Sequence, residues 1–183
     1  MPAERRIFGV TGWKNSGKTT LVAALVTEFG RRGLTVSTVK HAHHSFDIDR
    51  EGTDSWKHRK AGTKETLLVS SVRWALMHEF HEEDEPPMEV LLDKLAPCDI
   101  VLIEGYKRED HDKIEIIRGE SGKDAPRWPD DETIVAIAAK TQPQGCTLPC
   151  FSPDDIAGIA DFILAHTGVQ HSPGKVGDRH AAE

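Results

Sequence analysis

A chain that carries the pattern GxxxxGK[ST] between an apolar run and a helical repeat has few folds open to it. Gly12 to Thr19, reading Gly-Trp-Lys-Asn-Ser-Gly-Lys-Thr, meets every fixed position of that pattern. Ile7, Phe8, Gly9 and Val10 before it read as a buried strand, and Thr20 to Arg32 behind it has helical spacing. Strand, glycine loop and helix in that order are the context the pattern needs. Gly12 and Gly17 let the backbone turn so that successive N–H groups face one concavity, and the helix N-terminus adds free donors and its positive dipole end. A triphosphate is the natural occupant. Lys18 then reaches the β- and γ-phosphates as a point charge, while the Thr19 hydroxyl ligates a bridging Mg2+. Lys14, Asn15 and Ser16 complete the candidate contacts within the loop; Thr20, which packs or caps at the helix start, is counted with them.

Composition limits the partners. The 183 residues carry a net charge of −7, and the 23 Lys and Arg are spread along the chain, so no basic face for nucleic acid is expected. Neither an apolar leader nor a run of about 18 apolar residues is present, so neither a signal peptide nor a membrane span is expected. The cytoplasm is the expected location. Cys98, Cys146 and Cys150 make an odd count that reads as free thiols in a reducing compartment. The Cys146 and Cys150 spacing supplies one pair only, too few ligands to specify zinc. One domain is expected over residues 1–168, with residues 169–183 a polar, disordered tail.

Along the chain, Leu21, Leu25, Val26 and Phe29 mark the inner face of the first helix, and Gly33 follows Arg31 and Arg32 as its stop. Val36 to Val39 is a second strand, parallel to the first through a right-handed crossover. It empties into a polar loop, Lys40 to Asp54, at the strand end where open α/β sheets hold ligands. Asp47, Asp49 and Asp54 are placed there either to approach Mg2+, directly or through water, or to cap and turn the chain; Asp54 reads as the N-cap of a helix over Ser55 to Ala61. His41, His43 and His44, with His58 beyond, suggest either metal ligands or polar contacts to an anion. Thr66 to Ser70 and Val72 to Phe80 read as two β-rich runs, and the second is a candidate either for pairing across a dimer or for an edge hairpin. Pro87 to Leu95 is a short amphipathic helix.

Asp99 to Gly105 is the second anchor. Four apolar residues without alternation describe a strand buried on both faces, ending in an acid where a nucleotide hydrolase places its Mg2+ group. Asp99 and Glu104 lie about 16 Å apart on an extended strand and cannot share an ion. Glu104 is at the ligand end; Asp99 is a cap or turn residue at the other. Lys107 and Arg108 follow as possible anion contacts or a solvated loop. Lys113 to Arg118 alternates as a further strand, Gly119 to Asp131 reads as a mobile loop, and Ile134 to Ala138 is another buried strand leading to Ala139 and Lys140. Leu148 to Phe151 is a short last strand, and Pro153 starts the last helix. The fold class is α/β: a P-loop NTPase with a doubly wound, mostly parallel sheet and an antiparallel extension available to a dimer partner.

Val39-Lys40-His41-Ala42-His43-His44, the following Asp47-x-Asp49, Arg59-Lys60-Ala61-Gly62, Arg73-Trp74-Ala75-Leu76-Met77 and Val101-Leu102-Ile103-Glu104-Gly105-Tyr106-Lys107 together resemble the molybdopterin-guanine dinucleotide biosynthesis protein B (MobB) family. The resemblance spans about Ile7 to Ala165. It implies a homodimer that binds GTP and hydrolyses it weakly. It also implies an adapter role beside the guanylyltransferase that attaches GMP to molybdopterin, and contact with molybdoenzyme-maturation proteins. Lys18, Thr19, Asp49 and Glu104 would then carry the nucleotide and Mg2+ roles, with Thr19, Asp49 and Glu104 around the metal and Lys18 and Glu104 at the reacting phosphate. GTP over ATP rests on the resemblance, because the Ala139-Lys140 junction carries no Asn-Lys-x-Asp run. Two other functions use the same residues: a small-molecule kinase or ligase with Arg108, Arg118 and Arg127 as a lid, and a metallochaperone GTPase built on the histidine loop.

Overall fold

Six short strands pair into one parallel sheet, and that sheet dictates where every loop of interest emerges. The computed structural model describes residues 6–42, 46–118 and 125–170. His43 and His44 of the histidine loop, part of the Gly119 to Asp131 loop and most of the polar tail lie outside the described residues. Contacts divide the chain into two units, one formed by residues up to His41 and from Pro97 onward, the other by Ala42–Ala96.

In the first unit the strands are β1 (Ile7–Thr11), β2 (Val36–Lys40), β5 (Ile100–Glu104), β6 (Lys113–Ile116), β7 (Ile134–Ala138) and β8 (Cys150–Phe151), and the helices are α1 (Lys18–Arg31) and α4 (Ile156–Thr167). The sheet order is β2-β5-β1-β6-β7-β8, with every pairing parallel. β1 therefore lies between strands reached in opposite directions, the switch point at which open α/β sheets bind ligands. Period-2 alternation sends Phe8 and Val10 to one face, where they meet Leu21, Leu25 and Phe29 of α1 and Ile159 and Ile163 of α4. On the other face Ile134, Ile137, Ala139 and Cys146 cluster against Trp128 and Leu148.

Several expectations shift. β6, expected as an alternating strand, is buried along its whole length, Lys113 and Glu115 included. The last helix begins at Ile156, because the Asp155 side chain accepts the Gly158 N–H at 3.0 Å and sets the N-cap there. Asp99 closes the far end of β5 by accepting the Thr35 N–H and hydroxyl at 2.6 Å each, the capping role expected of it. All three cysteines are free thiols.

The second unit holds α2 (Asp54–Lys60), β3 (Glu65–Val69), β4 (Trp74–His78) and α3 (Met88–Leu92), with β3 and β4 an antiparallel hairpin. Thr53, not Asp54, precedes α2 as its N-cap; Asp54 is its first residue and contacts Lys57. In the hairpin the buried side is Thr66 opposite Met77, while Leu67 opposite Leu76 and Val69 opposite Trp74 lie on the other side and are exposed. Val69 is 72% and Trp74 66% exposed, so the more apolar side of the hairpin is the one left uncovered. No helix among the described residues is long and apolar enough to cross a membrane.

Candidate functional site

The loop from Gly12 to Gly17 leaves the carboxyl end of β1 and enters α1 at Lys18. Its path is one that few residues tolerate: Gly12 has φ 139°, Gly17 φ 104° and Asn15 φ 63°. A Cβ at Gly12 would sit 2.5 Å from the Ile116 carbonyl oxygen and 2.8 Å from Ser16 Oγ, so the cradle has room only for hydrogen at that point. Gly17 is the N-cap of α1, and no side chain takes the first-turn N–H groups. Lys18 folds over the loop, donating to the Gly12 carbonyl at 3.0 Å and the Trp13 carbonyl at 2.5 Å. Its pKa is lowered, first by burial and then by the like charge of Lys107.

Three strands bring the polar groups to the helix start. Val10 of β1 and Lys40 of β2 both pair in register with Glu104 of β5. As a result the Thr19 hydroxyl donates to Glu104 Oε1 at 2.7 Å, and the Lys40 ammonium lies 3.1 Å from Glu104 Oε1 and 3.2 Å from Thr19 Oγ1. Glu104 is 8% exposed. A hydroxyl and a carboxylate oxygen presented together form the hard-oxygen donor set that suits Mg2+. The residues present therefore fit a magnesium-bound phosphate.

Cations line the other side of the loop. Lys107 Nζ lies 5.7 Å and the Arg127 guanidinium carbon 5.0 Å from the centre of the Trp13 ring. The Arg118 guanidinium sits 3.3 Å from where a Gly17 Cβ would stand. Burial, then Arg127, lowers the pKa of Lys107. Arg127 is held by the strand beneath: Glu115, fully buried, accepts the Arg127 N–H on both oxygens and the Trp128 N–H on one, each at 3.0 Å. Burial raises the Glu115 pKa against the hydrogen bonds from those two N–H groups. The Trp13 indole donates to the Ala125 carbonyl at 2.8 Å, which joins the chain after residue 124 to the glycine loop. A cleft of about 160 Å³ opens between the loop and Glu115, Arg118 and Pro126.

The candidate residues fall into two groups. Gly12, Lys14, Asn15, Ser16, Gly17, Lys18, Thr19, Thr20, Glu104 and Lys107 all belong to the first unit, but Thr20 neither packs nor caps; it stands exposed on the first turn of α1. Asp49 belongs to the second unit. There it accepts from Ser55 Oγ at 2.9 Å and pairs with Arg59 at 3.0 Å, and the same guanidinium holds Asp47 and Glu79 at 2.6 Å each. Among the described residues no group of three or more His, Cys, Asp or Glu gathers into a metal site. Lys40 and Glu115 were not singled out as phosphate-site residues in the sequence, and Arg127 entered only as part of the lid of the kinase or ligase alternative. Of these, only Lys40 carried a local signal, its place beside Glu104 once the two strands pair.

A glycine loop between a central parallel strand and a helix, with a strand-end carboxylate on the loop hydroxyl, defines a P-loop NTPase fold. Within that class the chain belongs to the MobB family: the family model for molybdopterin guanine dinucleotide synthesis protein B matches residues 7–140. It is 38% identical over 163 residues to the molybdopterin-guanine dinucleotide biosynthesis adapter protein of Haemophilus influenzae, covering 86% of each chain. To the protein of the same name from Escherichia coli it is 32% identical over 160 residues, covering 86% of this chain and 91% of that one. A solved MobB homolog from Bacillus stearothermophilus superposes with a TM-score of 0.66 at 25% identity, over 90% of this chain and 99% of the other. A second solved structure, molybdopterin-guanine biosynthesis protein B, gives a TM-score of 0.69 at 25% identity over 88% and 99%.

Proposed function

We propose that this protein binds GTP with Mg2+ at the Gly12 to Thr19 loop, hydrolyses it weakly, and serves as a homodimeric adapter beside the guanylyltransferase of molybdopterin-guanine dinucleotide synthesis. The observation that carries the nucleotide reading is the Thr19, Glu104 and Lys40 cluster at the mouth of a loop whose Lys18 is surrounded by further cations. Lys18 supplies charge to the β- and γ-phosphates; Thr19 and Glu104 supply oxygen ligands to the metal, which draws charge from the phosphates when bound. Glu104 is also the group positioned to orient water. Asp49 enters this reading through the family resemblance.

The adapter role is supported by family membership and by the names of the Haemophilus and Escherichia relatives. The dimer is supported by the hairpin, whose exposed Leu67, Val69, Trp74 and Leu76 form an apolar face larger than scattered surface residues would give. Free thiols fit the reducing cytoplasm, the location this reading assigns.

Calorimetric titration of GTP, ATP and molybdopterin-guanine dinucleotide, each with Mg2+, against wild type and Lys18→Ala tests the reading. GTP should bind the wild type best, and Lys18→Ala should lose about tenfold to a hundredfold in affinity, the worth of a charge-assisted contact. Equal binding of GTP by both proteins, or rapid hydrolysis without a partner, would sink it.

A further inference from the structure

We propose that Arg127, stacked on Trp13 beside Lys107, is this chain's own terminal-phosphate contact and sets its preference for a nucleoside triphosphate over the diphosphate. The inference rests on the loop being a nucleotide site, as argued above, and adds a residue that lies outside the loop pattern.

Position is the first argument. Lys18, which serves the β- and γ-phosphates, donates to the Trp13 carbonyl at 2.5 Å, so Trp13 belongs to the terminal-phosphate end of the loop. Arg127 lies 5.0 Å over that same ring and Lys107 5.7 Å over it. Charge is the second. Among the described residues neither the Arg127 nor the Lys107 side chain forms an ion pair; the Glu115 carboxylate near Arg127 is taken up by the Arg127 and Trp128 N–H groups, and Glu104 by Thr19 and Lys40. Burial first, and then the like charge of neighbouring cations, lowers the pKa values of Lys18 and Lys107, and a bound anion relieves that repulsion.

Unmet hydrogen bonding is the third. Arg127 Nε is buried and has no hydrogen-bond partner. A buried guanidinium N–H is costly to leave unpaired, and its planar fork matches two phosphate oxygens at once. The guanidinium is also built into the frame. Glu115 anchors the Arg127 and Trp128 N–H groups, and Glu115 pairs in register with Thr11, the last residue of β1 before the loop. One strand pair thus fixes both the loop and the arginine, which is the preorganisation that charge recognition needs.

The test compares GTP with GDP, and ATP with ADP, for wild type, Arg127→Ala and Arg127→Lys by calorimetry with Mg2+, with thermal unfolding of each protein measured alongside. Arg127→Ala should lower triphosphate affinity by about tenfold or more while diphosphate affinity moves by less than about threefold. Arg127→Lys should recover only part of the loss, because an ammonium lacks the fork. Equal weakening of both nucleotides, or no change in either, overturns the proposal. A triphosphate preference that depends on Arg127 but favours ATP would overturn the GTP reading and leave this one standing. A wild type that binds no nucleotide overturns both.

Discussion

His111 shows what a buried side chain does to the acid stability of this protein. It is 8% exposed, both ring nitrogens are without a hydrogen-bond partner, and it packs so closely on β1 that a Cβ on Gly9 would lie 2.6 Å from its Nε2. Burial, reinforced by the positive charge of Lys113, pulls its pKa down from 6.5 to about 4. The folded state therefore holds the ring neutral while the unfolded chain protonates it. Between about pH 6.5 and 4 the unfolded state binds the extra proton, so stability falls as pH falls, by up to about 1.4 kcal/mol per pH unit from this group. Imidazole resonances followed by NMR should show His111 untitrated until near pH 4, and a midpoint close to 6.5 would contradict this account. Lys113 beside it is 1% exposed and stays bonded to the Glu109 carbonyl at 2.7 Å and to Thr133, so a buried cation already occupies the space next to the ring.

At the scale of elements, the hairpin of β3 and β4 is the outlier. Each of its strands pairs only with the other among the described residues, and an isolated two-stranded hairpin with apolar side chains on its open side is marginal in water. A second copy laid against Leu67, Val69, Trp74 and Leu76 would remove that surface from solvent. Replacing Leu67 and Trp74 together by Lys places charge on the middle of the patch and should convert the proposed dimer to a monomer in sedimentation velocity. A dimer that persists in that variant would move the interface elsewhere. The Arg59 cluster lies at the root of the same element, since one guanidinium joins Asp47 and Asp49 of the preceding loop to Glu79 just beyond β4.

For the whole molecule, the glycine loop with its surrounding cations and the exposed hairpin fall in different units, while Asp49, which the family resemblance adds to the proposed site, falls with the hairpin. Glu104, Lys40, Lys107 and Arg127 all lie with the loop. The Leu67→Lys, Trp74→Lys variant should therefore bind GTP within about threefold of wild type, a margin below that of a single lost hydrogen bond to a charged group. A large loss of affinity would mean that the second unit, or a partner copy, completes the nucleotide site.

Much of this was legible in the residues themselves. The motif, its flanking strand and helix, the four-residue buried run before Glu104 and the far-end role of Asp99 depend on local backbone chemistry and on periods of 2 and 3.6, which a sequence displays directly. The start of α4 was missed by three residues because an Asp side chain, not Pro153, sets its cap. Glu115 could not be read in advance, and Arg127 could be read only as a lid in another function, not as a neighbour of Trp13. Glu115 sits in a pattern that alternation assigns to water, and Arg127 follows a stretch without periodicity; only the pairing of β6 with β1 brings both beneath the loop. The sequence by itself determined that the chain holds a P-loop on a parallel sheet, because glycine, lysine and threonine at fixed spacing act within a single turn of backbone. The tertiary structure decided which charges surround that cradle, because strand order and register, set by contacts distant in sequence, place Lys40 on Glu104 and Arg127 on Trp13.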